Sequence, residues 1–185
     1  MDVCKINQTA QIVRDLFEKE PIDILVNSAG VHGSDKFGCV TEETFDSVMN
    51  TNVKALYFLS QTVSNLMIQN DIKGHILNLS SASALKPSWT PYEISKRAVD
   101  GITQGMAHKL IQHGIVVNAI APGPTATSMI REDGNLEWPF NPSGRMSTVE
   151  EIANLALYMV SPMGDGIVGD TFYLTGGSGT INKNE

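Results

Sequence analysis

Four short apolar runs recur along the chain, and each is bounded by polar or turn-forming residues. They occupy positions 22–27, 75–80, 115–120 and 171–175. Short apolar runs without strict alternation of polar and apolar positions are typical of strands buried on both faces of a sheet. The pattern therefore predicts four buried strands.

The segments between these runs carry helical periodicity. The longest stripe has an apolar residue at every fourth position, namely Ile94, Ala98, Ile102, Met106 and Leu110. A second amphipathic segment ends before Pro21 and has its apolar residues at Ile12, Val13, Leu16 and Phe17. Thr148 and Glu151 form the sequence signature of a capping box, which predicts the start of a further helix.

Strands and helices thus alternate along the chain. This order implies right-handed crossovers and a parallel sheet with helices on both faces, which defines the α/β class. A chain of 185 residues that is 42% hydrophobic is long enough for one core and too short for two. We expect a single domain over residues 1–185.

Composition narrows the classes of partner. The formal net charge is -7 and Lys and Arg are not clustered, so nucleic acid is not an expected partner. No apolar run approaches the roughly 20 residues that span a bilayer, so neither a membrane segment nor a secretory signal is expected. Cys4 and Cys39 lack metal-ligand spacing and suit free thiols in a reducing cytoplasm.

The residues that follow the predicted strands are small or polar. They comprise Asn-Ser-Ala-Gly at 27–30, two serines at 80–81 and Pro-Gly-Pro-Thr-Ala-Thr at 122–127. Ligands of open parallel sheets bind at the carboxyl ends of the strands, where small residues allow close approach of the backbone. The least regular stretch, 131–144, surrounds Trp138 and Phe140 and is expected to form a loop over a pocket.

Tyr92 and Lys96 lie four residues apart at the start of the long predicted helix and share one of its faces. A neighbouring ammonium favours the phenolate, so we expect a tyrosine pKa below its reference value near 10 and suited to acid and base chemistry. Such pairs are common on exposed helix faces, and the spacing alone does not identify a catalytic pair.

The motifs taken together resemble the short-chain dehydrogenase/reductase family, and bacterial 3-oxoacyl-carrier-protein reductases in particular. In chain order the likeness lies in NSAG at 27–30, Asn52 within TNVKAL, LNLSSASA, YEISK, APGPTAT, the segment 145–151 and GDTFYLTGG at 169–177. The resemblance implies a Rossmann-like doubly wound sheet. It also implies NAD(P)(H)-dependent interconversion of a small carbonyl compound and its alcohol, and a homo-oligomer, dimeric or tetrameric.

The resemblance also assigns roles to residues. Tyr92 is the expected acid/base, Lys96 lowers its pKa and contacts the nicotinamide ribose, and Asn52 relays protons. Ser81 holds the substrate oxygen, with Ser80 as the alternative. The expected cofactor contacts are Tyr92, Lys96, Pro122, Gly123, Thr127 and, unless their role is purely structural, Asn27, Ala29 and Gly30.

The family's glycine-rich turn, which binds the cofactor pyrophosphate, has no counterpart in this sequence, and Asp2 resembles the aspartate that faces the adenine ring. We therefore expect a chain that lacks the family's first strands, leaves strand 22–27 at an open edge and binds NAD or NADP weakly. A non-catalytic remnant or interaction subunit is the alternative. The residues at 164–169 match G-x-G-x-x-G but precede a strand, so no phosphate site is expected there.

Other enzyme classes have little support in the sequence. G-x-S-x-G and H-E-x-x-H are absent, which argues against a serine hydrolase and a zinc enzyme. The four histidines form no motif with an acidic residue and are expected to be surface or structural residues; they are His32, His75, His108 and His113.

Overall fold

The computed structural model describes residues 1–33, 35–127 and 135–181. Within them, four parallel strands form one sheet in the order β1-β2-β3-β4. The strands are β1 (Ile24–Asn27), β2 (Gly74–Leu79), β3 (Ile115–Pro122) and β4 (Thr171–Leu174). The prediction of four parallel strands is confirmed, and each strand end lies within two residues of its predicted position. The prediction that all four are buried on both faces holds for β2 and β3, whereas β1 and β4 lie at the sheet edges and are partly exposed.

Helices connect the strands. They are α1 (Ile6–Phe17), α2 (Glu42–Met49), α3 (Leu56–Gln69), α4 (Pro91–Leu110) and α5 (Val149–Met159). A π-helical segment, Asn50–Ala55, joins α2 to α3, and short 3₁₀ turns occur at Ala82–Leu85, Ile111–His113 and Pro162–Gly164. The capping box predicted at Thr148 and Glu151 is present at the start of α5. The G-x-G-x-x-G match begins at the end of the last 3₁₀ turn and leads into β4, so it opens no helix.

The sheet is covered on both faces, as the α/β prediction requires. Neighbouring residues of β2 point to opposite sides: Ile76 packs in a cluster with α1, α3 and α4, whereas Leu77 packs with Met159 of α5. All three of these side chains are almost completely buried. The helices on both faces hold the carboxyl ends of the strands along one edge of the molecule.

A chain of buried polar side chains crosses the sheet. The Asn27 Nδ2 donates to Ser60 Oγ on α3 and to Asn78 Oδ1 on β2, at 2.9 Å each. The Asn78 Nδ2 donates in turn to Thr103 Oγ1 on α4, at 2.9 Å. These amides are satisfied despite burial, because each one meets a partner on a neighbouring element.

In the described ranges, β1 has β2 as its only neighbour, so it forms the open edge expected from the sequence. Its side chains Ile24 and Val26 are 42% and 46% exposed. Both cysteines are exposed free thiols. Each helix that the structure describes is too short or too polar to cross a lipid bilayer. Residues 131–134 of the predicted pocket loop lie outside the described ranges.

Candidate active site

A cavity of about 570 Å³ opens at the carboxyl ends of β2 and β3. Ser81, which follows β2, and Tyr92 of α4 lie on its wall together with Pro122 and Gly123 at the end of β3. Trp138 lies on the same wall, where the sequence predicted a loop over a pocket. Four residues predicted from three separate motifs therefore meet at one cavity.

Local helix chemistry presents Tyr92 to the cavity. The Thr90 side chain accepts a hydrogen bond from the Glu93 backbone N–H, while the Glu93 carboxylate accepts from the Thr90 backbone N–H. Pro91 occupies the first helical position, where its missing N–H costs no hydrogen bond. This capping box fixes the first turn of α4, which carries Tyr92, and Lys96 follows one turn later.

Lys96 is buried beneath the cavity. Its Nζ lies 5.6 Å from the centroid of the Tyr92 ring and donates to the Leu79 carbonyl oxygen at 2.8 Å. Burial lowers the pKa of the Lys96 ammonium from its ordinary value of 10.5 to about 8, and the nearby Asp100 carboxylate opposes part of that shift. The lysine is therefore still mostly charged at neutral pH, but it releases its proton at a lower pH than an exposed lysine does.

The pKa of Tyr92 is shifted in the direction opposite to the one expected from the Tyr-Lys spacing. Burial of the phenol raises its pKa above 10.0, and a hydrogen bond with the Ser81 side chain lowers it by a smaller amount. Desolvation prevails because it disfavours the charged phenolate. In this structure the hydroxyl thus holds its proton at neutral pH.

The two candidate serines occupy different environments. The Ser80 hydroxyl is buried and donates to the Lys96 carbonyl oxygen at 3.2 Å. Ser81 lies on the cavity wall, is close enough to lower the pKa of Tyr92, and accepts a hydrogen bond from the Ser83 backbone N–H. The geometry favours Ser81 over Ser80 as the residue that meets a substrate oxygen.

Asn52 lies in the π-helical segment and is 1% exposed. Its Oδ1 accepts from the Val31 backbone N–H at 2.8 Å, and its Nδ2 donates to the Val31 carbonyl at 3.0 Å and to Ser95 Oγ at 3.0 Å. Single π-helical turns are frequent at functional sites because they re-aim one side chain. Here the amide fixes the loop that leaves β1.

The remaining predicted cofactor contacts divide into two groups. Gly30 lies beside the buried lysine, since a Cβ at this position would stand 3.7 Å from Lys96 Nζ and 3.4 Å from Asn52 Oδ1. Gly123 packs so tightly that a Cβ would come within 2.7 Å of the Thr175 carbonyl oxygen. Gly123 is therefore required by its packing against the Thr175 backbone, whereas the glycine at position 30 leaves a small space beside Lys96 and Asn52.

The others lie off the described wall of this cavity: Asp2, Asn27, Ala29 and Thr127. The Asn27 amide is engaged in the sheet, which favours the structural interpretation of that side chain. The Asp2 carbonyl accepts from Thr9 Oγ1 and the Lys5 N–H at the start of α1. The Thr127 N–H donates to the Thr125 carbonyl.

Several wall residues were not predicted from the sequence, and they include His32, Lys86 and Ser178. His32 is exposed, as expected of a surface histidine, yet its ring centroid lies 4.6 Å from that of Tyr92. The sequence feature that could have identified His32 is its position just after the NSAG motif, which begins at the end of β1. Lys86 and Ser178 lie in loops whose paths no sequence pattern defines.

Comparison with known proteins agrees with this geometry. Residues 1–179 match the family model of enoyl-(acyl carrier protein) reductase. The gluconate 5-dehydrogenase of Gluconobacter oxydans is 33% identical over 180 residues, which cover 93% of this chain and 69% of the relative.

Solved structures share the fold. The acetoin dehydrogenase of Enterobacter cloacae superimposes with a TM-score of 0.90 at 29% identity, covering 100% of this chain and 75% of that one. ElxO with NADP bound gives a TM-score of 0.88 at 26% identity, covering 96% of this chain and 76% of that one. The chain therefore belongs to the short-chain dehydrogenase/reductase family and is an NAD(P)-dependent oxidoreductase.

Proposed function

We propose that the protein interconverts a small carbonyl compound and its alcohol, with Tyr92 as the acid/base. The observation that carries the proposal is that Tyr92 and Ser81 lie on the wall of one cavity, close enough for the Ser81 hydroxyl to lower the pKa of Tyr92. Two hydroxyls that converge on one point suit a single substrate oxygen: Ser81 orients it while Tyr92 exchanges a proton with it. Ser80 has no such position, since its hydroxyl is engaged with Lys96.

The residues around the cavity fit the nicotinamide half of NAD or NADP. Pro122 and Gly123 line the wall beside Tyr92. Gly30, just after the end of β1, has no side chain, and a Cβ there would lie 3.7 Å from the Lys96 Nζ. Lys96 is the proposed contact to the ribose hydroxyls. When bound, the nicotinamide ring supplies or accepts the hydride. Both cofactors stay open for this chain, and Asp2, Asn27, Ala29 and Thr127 stay predictions as cofactor contacts.

The proton chemistry follows from burial. Because the pKa of Tyr92 is raised, its hydroxyl is protonated at neutral pH and is ready to donate to a carbonyl oxygen during reduction. Lys96, whose pKa is about 8 and whose Nζ lies 5.6 Å from the centroid of the Tyr92 ring, is the proposed partner for proton exchange. Asn52 positions this pair by fixing Val31 and Ser95, and its proposed part in the proton relay runs through Ser95 beside the lysine turn.

The test compares the chain with its Tyr92→Phe variant. We expect NADH or NADPH to bind both proteins, and hydride transfer to fall at least about 100-fold in the variant, because the ring stays while the proton donor is removed. Cofactor binding is measured by fluorescence titration and turnover by absorbance at the nicotinamide band. Equal turnover by the two proteins would contradict the assignment of Tyr92. Absence of cofactor binding would instead favour the non-catalytic remnant.

We also propose that the protein self-associates through the groove between α3 and α4. This groove has a volume of about 550 Å³ and is lined by Ala98, Ile102 and Met106 from the predicted apolar stripe. The core of the monomer instead receives another face of α4, which includes Val99, Thr103 and Ala107. A second copy of the chain is the proposed occupant. The cytoplasm is the proposed location, in keeping with two exposed free thiols.

A further inference from the structure

The wall of the active-site cavity is basic although the protein is acidic. The chain contains 20 acidic and 13 basic residues other than histidine. Among the described residues, however, the cavity is lined by Lys86 and His32 and by no Asp or Glu. The sign of the charge at the site is thus opposite to that of the molecule, and this concentrates anions rather than cations at the cavity.

Both basic residues are held in place by contacts to their backbone. Asn52 clamps both polar groups of Val31, the residue before His32, and the His32 ring then packs against Tyr92. The Lys86 carbonyl accepts from Arg97 Nη2 on α4 at 3.0 Å, and its N–H donates to the Ser83 carbonyl. The backbone from which each of these side chains reaches the cavity is therefore fixed by the fold.

The ammonium of Lys86 is available for a ligand. In the part of the chain that the structure describes, no carboxylate forms an ion pair with it. Glu93 is near enough for the Lys86 charge to lower its pKa, but the Glu93 carboxylate accepts the Trp89 and Thr90 backbone N–H groups at the start of α4. A lysine ammonium that forms no ion pair within the protein and lies beside the reacting centre favours an anionic substrate.

We infer that the substrate carries a carboxylate, which Lys86 binds while His32 contacts it at the cavity mouth and the reacting carbonyl faces Tyr92 and Ser81. A single ammonium matches a singly charged carboxylate better than a doubly charged phosphate. This inference rests on the proposed function, because it takes Tyr92 as the reacting end of the cavity. The inferred substrates are keto acids and the corresponding hydroxy acids.

The probes are acetoacetate and acetoacetamide, which place the same ketone beside a carboxylate or a neutral amide. Binding is measured, with saturating NADP⁺, which cannot reduce either probe, by the NMR shift of the Trp138 indole N–H on the cavity wall, assigned with a Trp89→Phe variant. We expect acetoacetate to bind the protein more tightly than acetoacetamide. Lys86→Gln is expected to weaken acetoacetate binding roughly 10- to 100-fold, the loss typical of one charge-assisted hydrogen bond, and to leave acetoacetamide unchanged.

Two further variants sharpen the test. Lys19→Gln removes the same charge from an exposed position outside the cavity wall and is expected to bind both probes as the unaltered protein does. His32→Phe keeps a ring against Tyr92 but removes the imidazole nitrogens, and a severalfold loss for acetoacetate alone is expected. Equal binding of the two probes, a shift with neither probe, or an equal effect of Lys19→Gln would overturn the inference.

The binding readout separates this inference from the proposed function. Hydride transfer to the same two probes is followed in parallel. A protein that selects acetoacetate through Lys86 but transfers no hydride would contradict the proposed reaction and leave the carboxylate site intact. A protein that reduces acetoacetamide as efficiently as acetoacetate would support the proposed reaction and contradict the carboxylate site.

Discussion

The buried ammonium of Lys96 couples catalysis to the stability of the fold. Its pKa is about 8 in the folded protein and 10.5 ordinarily. Between these values the unfolded chain binds a proton that the folded chain has released, so this residue makes stability rise with pH from about 8 to 10.5. Below pH 8 the charged lysine destabilises the fold by up to about 3 kcal/mol.

Lys96→Met removes this titration while keeping an unbranched side chain. We expect the difference in unfolding free energy, unaltered protein minus variant, to increase by about 2 kcal/mol between pH 7 and pH 10. Urea unfolding at several pH values measures it, and all other titrating groups are common to both proteins. A difference that is constant with pH would show that Lys96 is not held in a desolvated site. Turnover is expected to be lost in the variant at every pH.

At the residue scale, the sequence predicted the residues that belong to motifs and missed those that belong to the shape of the cavity. Tyr92 and Lys96 follow from helical spacing, and Ser81 from its place after a buried strand. The direction of the Tyr92 pKa was wrong, because spacing does not measure desolvation. His32 and Lys86 reach the cavity through loops, and a loop path depends on distant anchors such as Asn52 and Arg97.

The capping boxes of two helices, α4 and α5, allow a matched comparison. α4 and α5 both begin with a Thr and Glu capping box, but only α4 carries Tyr92 in its first turn. We expect Thr90→Ala and Thr148→Ala each to lower stability by about 1 kcal/mol. Only Thr90→Ala is expected to lower kcat, by about tenfold, because misplacing a catalytic group by a fraction of an ångström slows the reaction.

Chemical denaturation measures both stabilities, and steady-state kinetics at a temperature well below unfolding measures kcat. If Thr148→Ala lowers kcat as much as Thr90→Ala does, the effect of the cap on turnover is a general one and the first turn of α4 has no special role in placing Tyr92.

Elements were predictable to different degrees for a physical reason. All four strands carry dense apolar runs, although only the two central strands, β2 and β3, are buried on both faces. The helices α1, α4 and α5 show amphipathic spacing or a capping box. The π-helical segment Asn50–Ala55 depends on a shifted hydrogen-bond pattern, which leaves no periodic trace in the sequence. Asn52, its candidate functional residue, was found only by resemblance.

For the whole molecule, the groove between α3 and α4 makes self-association testable. Gly101 and Gly105 lie on this groove with open space in front of them, although each glycine costs a helix about 1 kcal/mol relative to alanine. The absence of side chains at these two positions would let a helix of a second copy approach closely, which explains why the glycines are present despite this cost. We expect Ile102→Glu, which places a charge in the groove, to convert an oligomer into a monomer.

Gln104→Glu adds the same charge to an exposed position of α4 that does not line this groove, and it is expected to leave the oligomer intact. Light scattering coupled to size-exclusion chromatography gives the mass of each protein. An unaltered protein that is monomeric at micromolar concentration, or an Ile102→Glu variant with unchanged mass, would contradict the proposed interface.

The buried amides of Asn27 and Asn78 have a consequence for how the chain selects its strand register. A slip of one residue moves a strand by about 3.3 Å and turns its side chains to the opposite face. In a slipped pairing of β1 and β2, both amides would be buried without their present partners, at a cost of about 1–3 kcal/mol for each unsatisfied group. The same slip would carry Gly30 and His32 away from Lys96 and Tyr92. Misaligned sheets are therefore penalised during folding by the same hydrogen bonds that align the catalytic groups in the folded protein.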